Sequence, residues 1–211
     1  MAKRNPERTS QRILNAAITE FADKGLSGAR VDTIAARAKV NKRMLYHYFG
    51  DKEALYVAVM EKAYEGIRTA ERELDLGAFP PVDAIRELIH FTFQYFIEHP
   101  EFIRLLNNEN LHGARYIRRS ARILELHAPM VGYIRDILDR GEAEGTFRSG
   151  VDPVQLYISI AGLAYFYLSN SVTLGTIFSR DLTTRRAINA RRKHITEVIL
   201  GYLTNKDDLP E

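Results

Sequence analysis

Residues Val31–Tyr56 read VDTIAARAKVNKRMLYHYFGDKEALY, and this stretch decides how the rest of the chain is understood. It parses as a helix, a three-residue turn, a short second helix ending in an aromatic cluster, and the start of a third helix. Ala35 and Ala38 are small enough for two helix backbones to cross closely, while Ile34, Val40 and Leu45 can fill a small core beneath. Asn41 precedes the second helix and can cap it, which puts Lys42, Arg43 and Met44 in the first turn. Those are the positions that reach base edges when such a helix enters a major groove. Arg43 can pair two hydrogen bonds with guanine, and Lys42 can do so more loosely. Tyr46, His47 and Tyr48 carry phenol and imidazole groups suited to phosphate, and Arg30 and Thr33 complete the candidate DNA contacts. Phe49 reads as core.

Just beyond, Asp51 can cap a helix that begins at Lys52. A cation there opposes the helix dipole, so helix stability does not account for Lys52. A nearby phosphate would, helped by the backbone N–H groups at the same helix start.

The charge distribution points the same way. Residues 1–50 carry ten Lys/Arg against four acids, and the remaining 161 residues carry 20 against 23. A basic head on a mildly acidic body suits a polyanion partner for the head alone, although a solvated basic face would carry the same charge. The 211-residue chain has no cysteine, which excludes disulfides and thiolate metal sites and fits a reducing, cytoplasmic setting. Its start, MAKRNPERTSQR, is charged and has no apolar core of the kind a secretory signal needs. Pro153–Ser179 has no charged residue and is long enough to span a bilayer. Its Gln155, Ser159, Asn170 and Thr173, and its centrally placed aromatics, favour a buried or interfacial helix instead.

The periodicity predicts an all-α protein of about nine helices. A three-helix helix-turn-helix domain is expected over residues 1–50, and a larger C-terminal helical domain for ligand binding and dimerisation over residues 51–211. Helices are expected near Glu7–Lys24, Val31–Ala38, Lys42–Phe49, Lys52–Arg72, Val82–Glu98, Glu101–Leu111, Tyr116–Glu144, Pro153–Leu174 and Thr183–Leu203. Gly25 stands where a left-handed helix end is expected, and Asn205–Glu211 read as frayed.

Residues Arg12 to about Tyr64 resemble the N-terminal domain of the TetR (tetracycline repressor) family of bacterial transcription regulators. The resemblance is carried by Ile13-Leu14-Asn15-Ala16-Ala17 with Phe21 and Gly25, then Ile34-Ala35, Leu45-Tyr46-His47-Tyr48-Phe49 and Lys52-Glu53-Ala54-Leu55. It implies a homodimer that inserts its third helix into the major groove of operator DNA, with contact roles for Lys42, Arg43, Tyr46, His47 and Lys52. The chain departs from the family pattern at two places. Lys39 stands where the turn usually has glycine, and a positive φ there would cost lysine around 1 kcal/mol. Arg30 stands before Val31 where the second helix usually opens with Ser or Thr, which forgoes a side-chain cap.

Beyond the head no H-E-x-x-H, G-x-S-x-G or phosphate loop occurs, and the histidines lack metal-ligand spacing. No enzymatic activity, metal or cofactor is expected. The family resemblance implies a small-molecule effector pocket, for which Phe96, Phe102, Leu105, Asn108, Glu109, His112, Tyr133, Tyr165, Phe166 and Ser169 are the candidate lining. It also implies a dimer surface, for which Tyr157, Ala161, Ala164, Ile195, Val198, Ile199 and Tyr202 are the candidates, forming a four-helix bundle with a second copy. Arg115, Arg118, Arg119 and Arg122 are expected on one helical face. More faintly, His99-Pro100 with Arg104-Leu105, and Asp152-Pro153, resemble the C-terminal domain of the uracil-responsive repressor of pyrimidine utilisation. The expected function is a repressor released by its effector. An activator, or a regulator whose C-terminal domain is a protein-interaction module, is the alternative.

Overall fold

A computed structural model describes residues 6–204, and the expectation for residues 205–211 lies outside them. Ten α-helices follow in order: α1 Pro6–Gly28, α2 Val31–Arg37, α3 Lys42–Phe49, α4 Lys52–Arg72, α5 Pro81–Glu98, α6 Pro100–Leu111, α7 Ala121–Ala143, α8 Pro153–Ser169, α9 Ser171–Ile177 and α10 Arg185–Thr204. Single 3-10 turns occupy Leu76–Ala78 and Ile117–Arg119, and no strand occurs among the described residues.

The helix ends have local causes. Asn41 accepts a 2.8 Å hydrogen bond from Met44 N–H to start α3, and Asp51 accepts one of 2.7 Å from Ala54 N–H to start α4. Asp152 does the same for α8, with Pro153 set at the first helical position. Gly25 takes φ 66° and ψ 173°, so α1 kinks there before its last residues. Only glycine adopts that conformation cheaply.

The chain divides into two compact units, and not at residue 50. One takes residues up to Gly66 together with His99–Glu125; the other takes Ile67–Glu98 with the chain from Leu126 onward. The first unit centres on Ile13, Ala17, Phe21, Ile34, Leu45, Leu55, Tyr56 and Val59, and Leu105, Tyr116 and Ile123 are built into the same core. Phe21 and Tyr116 both meet Tyr56 edge-on, at 5.2 and 5.3 Å between ring centroids. α6 packs along α1, which is why residues well past the head belong to this unit. In the second unit α5, α8 and α10 pack on one another through Ile85, Leu88, Phe93, Ile160, Ala164, Ile195 and Ile199.

Two expected helices are broken. The span Tyr116–Glu144 opens with a 3-10 turn, and α7 starts only at Ala121. The fully buried Glu109 accepts the N–H groups of Tyr116 and Ile117 at 2.8 and 2.9 Å, which diverts that backbone from an α-helical ladder. Ser120 Oγ then accepts Ile123 N–H near the start of α7. Arg115, Arg118, Arg119 and Arg122 therefore do not share one helical face. Arg119 pairs with Glu53 at 2.8 Å and Arg122 with Glu65 at 2.5 Å, while Arg115 lies over the Tyr116 ring.

The span Pro153–Leu174 breaks at Asn170, whose Nδ2 donates to Phe166 O at 2.9 Å, while Ser171 Oγ donates to Leu168 O. Side chains that compete for backbone carbonyls end the helix without any Gly or Pro. No helix among the described residues is long and apolar enough to cross a membrane.

Candidate nucleic-acid interface

The α2–turn–α3 unit is held from beneath by Leu45 and Ile34, which are both fully buried, and by the close crossing of Ala35 and Ala38. The turn closes through Val40 N–H to Ala35 O at 3.0 Å. Lys39 has φ 52°, the left-handed geometry the sequence raised as a condition, so lysine sits where glycine would be unstrained. Arg12 of α1 offsets this. Its Nη2 donates to the carbonyls of Ala38 and Lys39, clamping the turn onto the first helix. The sequence reading missed that role, since nothing in the neighbours of Arg12 marks a long-range partner.

Above this frame α3 turns Asn41, Lys42, Arg43, Tyr46 and His47 to solvent, with Met44 and Tyr48 half-buried. Arg43 is held by no hydrogen bond or ion pair among the described residues, so its fork is uncommitted. Lys42 is engaged by Asp32 of α2 at 3.0 Å, and the hydrogen bond from Asp32 raises the lysine pKa above its ordinary value. Lys42 therefore stays charged, and a phosphate must compete with Asp32 for it. Asn41 commits its side-chain oxygen to the helix cap, leaving the amide NH2 as the group that can face DNA. His47 stacks edge-on to Tyr48 at 5.6 Å.

Arg30 has no side-chain cap role, as its position implied; its backbone N–H is instead taken by Glu20 at 3.2 Å. Thr33 is half-buried on α2. Lys52 reaches back to Ser27 O at 3.4 Å, a long contact that a phosphate oxygen can replace.

Two family descriptions match this chain. "Bacterial regulatory proteins, tetR family" covers residues 13–59, and "Tetracyclin repressor-like, C-terminal domain" covers residues 81–199. The chain belongs to the TetR family. It is a DNA-binding transcription regulator of that family, with its helix-turn-helix in α2 and α3. It is 40% identical over 181 residues to the HTH-type transcriptional repressor NicS of Pseudomonas putida, covering 86% of this chain and 85% of that one. The HTH-type transcriptional regulator RutR of Escherichia coli (strain K12) is 27% identical over 194 residues, covering 89% and 87%. Among solved structures, the putative transcriptional regulator SCO4942 of Streptomyces coelicolor superposes with a TM-score of 0.70 at 27% identity, over 92% of this chain and 98% of that chain.

The candidate effector residues of this TetR-family chain fall in both units. Phe102, Leu105, Asn108, Glu109 and His112 lie in the first, where each has structural work. Leu105 is core, and Phe102 meets Tyr64 edge-on at 5.5 Å. Asn108 Nδ2 donates to Arg104 O and His112 Nδ1 lies 2.7 Å from Asn108 O, while Glu109 holds the turn at 116–117. Phe96, Tyr133, Tyr165, Phe166 and Ser169 lie in the second. Phe96 is buried, Phe166 is exposed, and Tyr133 edges a narrow cavity beside Arg68, Glu71 and Met130.

The candidate dimer residues also divide. Ala164, Ile195 and Ile199 are buried in their own unit, and Tyr157 turns inward to accept a 2.6 Å hydrogen bond from Arg68. Val198 and Tyr202 face solvent, and Ala161 is half-buried. The exposed apolar stripe of α8 runs instead through Val154, Ile158 and Phe166, four or eight residues apart with Gly162 between. It is displaced by one position from the expected stripe. Ile158 and Gly162 of this row, with Val198 and Tyr202, border an open groove of ≈ 530 Å³ between α8 and α10.

Proposed function

We propose that the protein is a homodimeric repressor, acting in the cytoplasm, that seats α3 of each copy in the major groove of operator DNA and is released by a small-molecule effector. The observation that carries this is the uncommitted, exposed Arg43 in the first turn of an α3 whose base is fully fixed by Leu45, Asn41 and the Arg12 clamp. A rigid base with free donors is what direct readout needs. Arg43 reads a base; Lys42, Tyr46, His47 and Lys52 hold phosphates. Repression is supported by the name of NicS, the 40% identical relative.

Two copies are supported by the α8–α10 face. Ile158 is 55% exposed and Phe166 57%, an apolar surface that a protomer alone would leave in water. Two-fold pairing through it would place two α3 helices on half-sites about one helical turn, or a multiple, apart. An effector that prefers one arrangement of the dimer shifts its population away from the operator-bound state.

Sedimentation with a gel-shift titration tests the reading. Ile158→Asp should give a monomer and lower operator affinity at least roughly tenfold, since each half-site then binds alone. A dimer surviving that change, with operator affinity intact, would remove α8 from the interface.

A further inference from the structure

The second unit contains a charged pair that neither DNA binding nor dimerisation uses. Arg68 and Glu71, one turn apart on α4, are each only 3% exposed. Arg68 Nη1 lies 2.9 Å from Glu71 Oε2, yet neither atom completes a hydrogen bond, because the two groups are close without being aligned. Arg68 Nε and Glu71 Oε1 also lack hydrogen-bond partners. The guanidinium itself is firmly placed: Nη2 donates to Tyr157 Oη at 2.6 Å, and Cζ lies 5.3 Å from the Tyr157 ring centroid. Burial keeps the Tyr157 phenol protonated, against the pull of Arg68, so its oxygen accepts without competing as an anion.

A buried guanidinium that keeps unused donors is costly, and it cannot shed its proton. A satisfied structural ion pair would align its fork with the carboxylate. Here the fork is poised and its occupant is poorly held. Burial pushes Glu71 up to about 7 despite Arg68, so this carboxylate is a weak anion in its own site.

Beside the pair is a void of ≈ 10 Å³, room for no more than one water while Glu71 is in place, walled by Leu126, Pro129, Met130 and Tyr133 of α7 and by Arg72 of α4. Three apolar walls, one phenol and a second guanidinium describe the environment of a small molecule with an apolar body and one anionic end. The cavity is closed down around Glu71, so a ligand must displace that side chain.

We propose that Arg68 is the anion subsite for a small carboxylate with an apolar body, and that the Glu71 carboxylate occupies it in the ligand-free protein. The inference rests on the reading of this regulator as effector-released, and it gives that effector a chemical class. The ligand carboxylate takes Arg68 Nη1 in place of Glu71, and its apolar part lies against Leu126, Pro129 and Met130. Glu71 withdraws as the neutral acid, taking its proton from solvent. A singly charged, planar carboxylate fits better than a phosphate because three of the walls are apolar and a phosphate dianion would have to shed more water to enter.

The test uses the full chain, with benzoate and cyclohexanecarboxylate as probes and their amides, benzamide and cyclohexanecarboxamide, as uncharged controls. Titration calorimetry and melting temperature read binding, and a gel shift in the same samples reads operator affinity. The carboxylates should bind and the amides should not. E71Q, which removes the internal competitor and keeps its shape, should tighten carboxylate binding roughly tenfold or more. R68M should abolish it.

Should R68M fail to fold, E71Q still decides the matter. Absence of carboxylate binding to both the wild type and E71Q, or equal binding of acids and amides, overturns the site whatever the operator does. Carboxylate binding with unchanged operator affinity upholds the site and overturns the effector-release reading, so the two failures are distinguishable.

Discussion

The recognition helix and the α4 pair place the same kinds of side chain in opposite settings. On α3, Lys42 and Arg43 stand in water on a rigid base, and Lys42 is held by an exposed aspartate. On α4, Arg68 and Glu71 are buried against one another with their hydrogen bonding incomplete. An exposed cation costs nothing to keep and waits for a polyanion. A buried one costs stability and is kept where something smaller must be recognised. The contrast shows where each half of the chemistry stores its free energy: in solvation and counterions at the recognition helix, in desolvation and unmade hydrogen bonds at the α4 pair.

The largest expected effect tests the buried side of that contrast. Glu71 has its folded pKa raised to about 7, above the ordinary carboxylate value, so the folded state holds a proton that the unfolded chain has lost. Stability should therefore fall as pH rises from about 4.5 to about 7, by roughly 2–3 kcal/mol from this group. Glu71→Gln should flatten that window in urea melts taken across it. An unchanged pH profile would mean that Glu71 is better paired than its geometry shows.

Next comes the glycine kink that shapes the head. A Cβ at Gly25 would lie 2.6 Å from Asn108 Oδ1, and the residue's φ is 66°. Asn108 is itself tied to Arg104 O. Gly25→Ala should cost roughly 1–3 kcal/mol by urea denaturation. A smaller loss would show that Asn108 swings aside freely.

The smallest effect concerns the turn itself. Lys39→Gly relieves a φ of 52° and should raise stability by up to about 1 kcal/mol, leaving the backbone bonds from Arg12 in place. Destabilisation instead would mean that the lysine side chain supports the turn.

What the sequence made legible follows range. The bounds of α3 and α4 matched because their causes are local: Asn41 and Asp51 cap within three residues, and Gly50 ends α3 with a positive φ. The strained Lys39 was likewise readable from one substitution in a turn. The division into units was not. It depends on α6 packing along α1 and on Leu105, Tyr116 and Ile123 entering the head's core, contacts between residues far apart in the chain.

The partners of two effector candidates were equally out of reach of the sequence, since Glu109 and Asn108 bond backbone groups that only the fold brings to them. Arg68 and Glu71 were invisible in the opposite sense. Nothing in IRTAERE sets the two charges apart from other helix charges, and only their burial makes the pair unusual. The break at Asn170 carried no Gly or Pro to announce it.

The central claim is that the free end of α3 reads DNA sequence through Arg43 while residues such as Lys52 only hold the backbone. The direct measurement is the ratio of operator to random-DNA affinity, taken over a range of salt for the wild type, Arg43→Ala and Lys52→Ala. Arg43→Ala should lower that ratio by the equivalent of roughly 1–3 kcal/mol, concentrated at one base position, while Lys52→Ala weakens both DNAs alike and flattens the salt slope. An operator-to-random ratio untouched by Arg43→Ala would contradict the account.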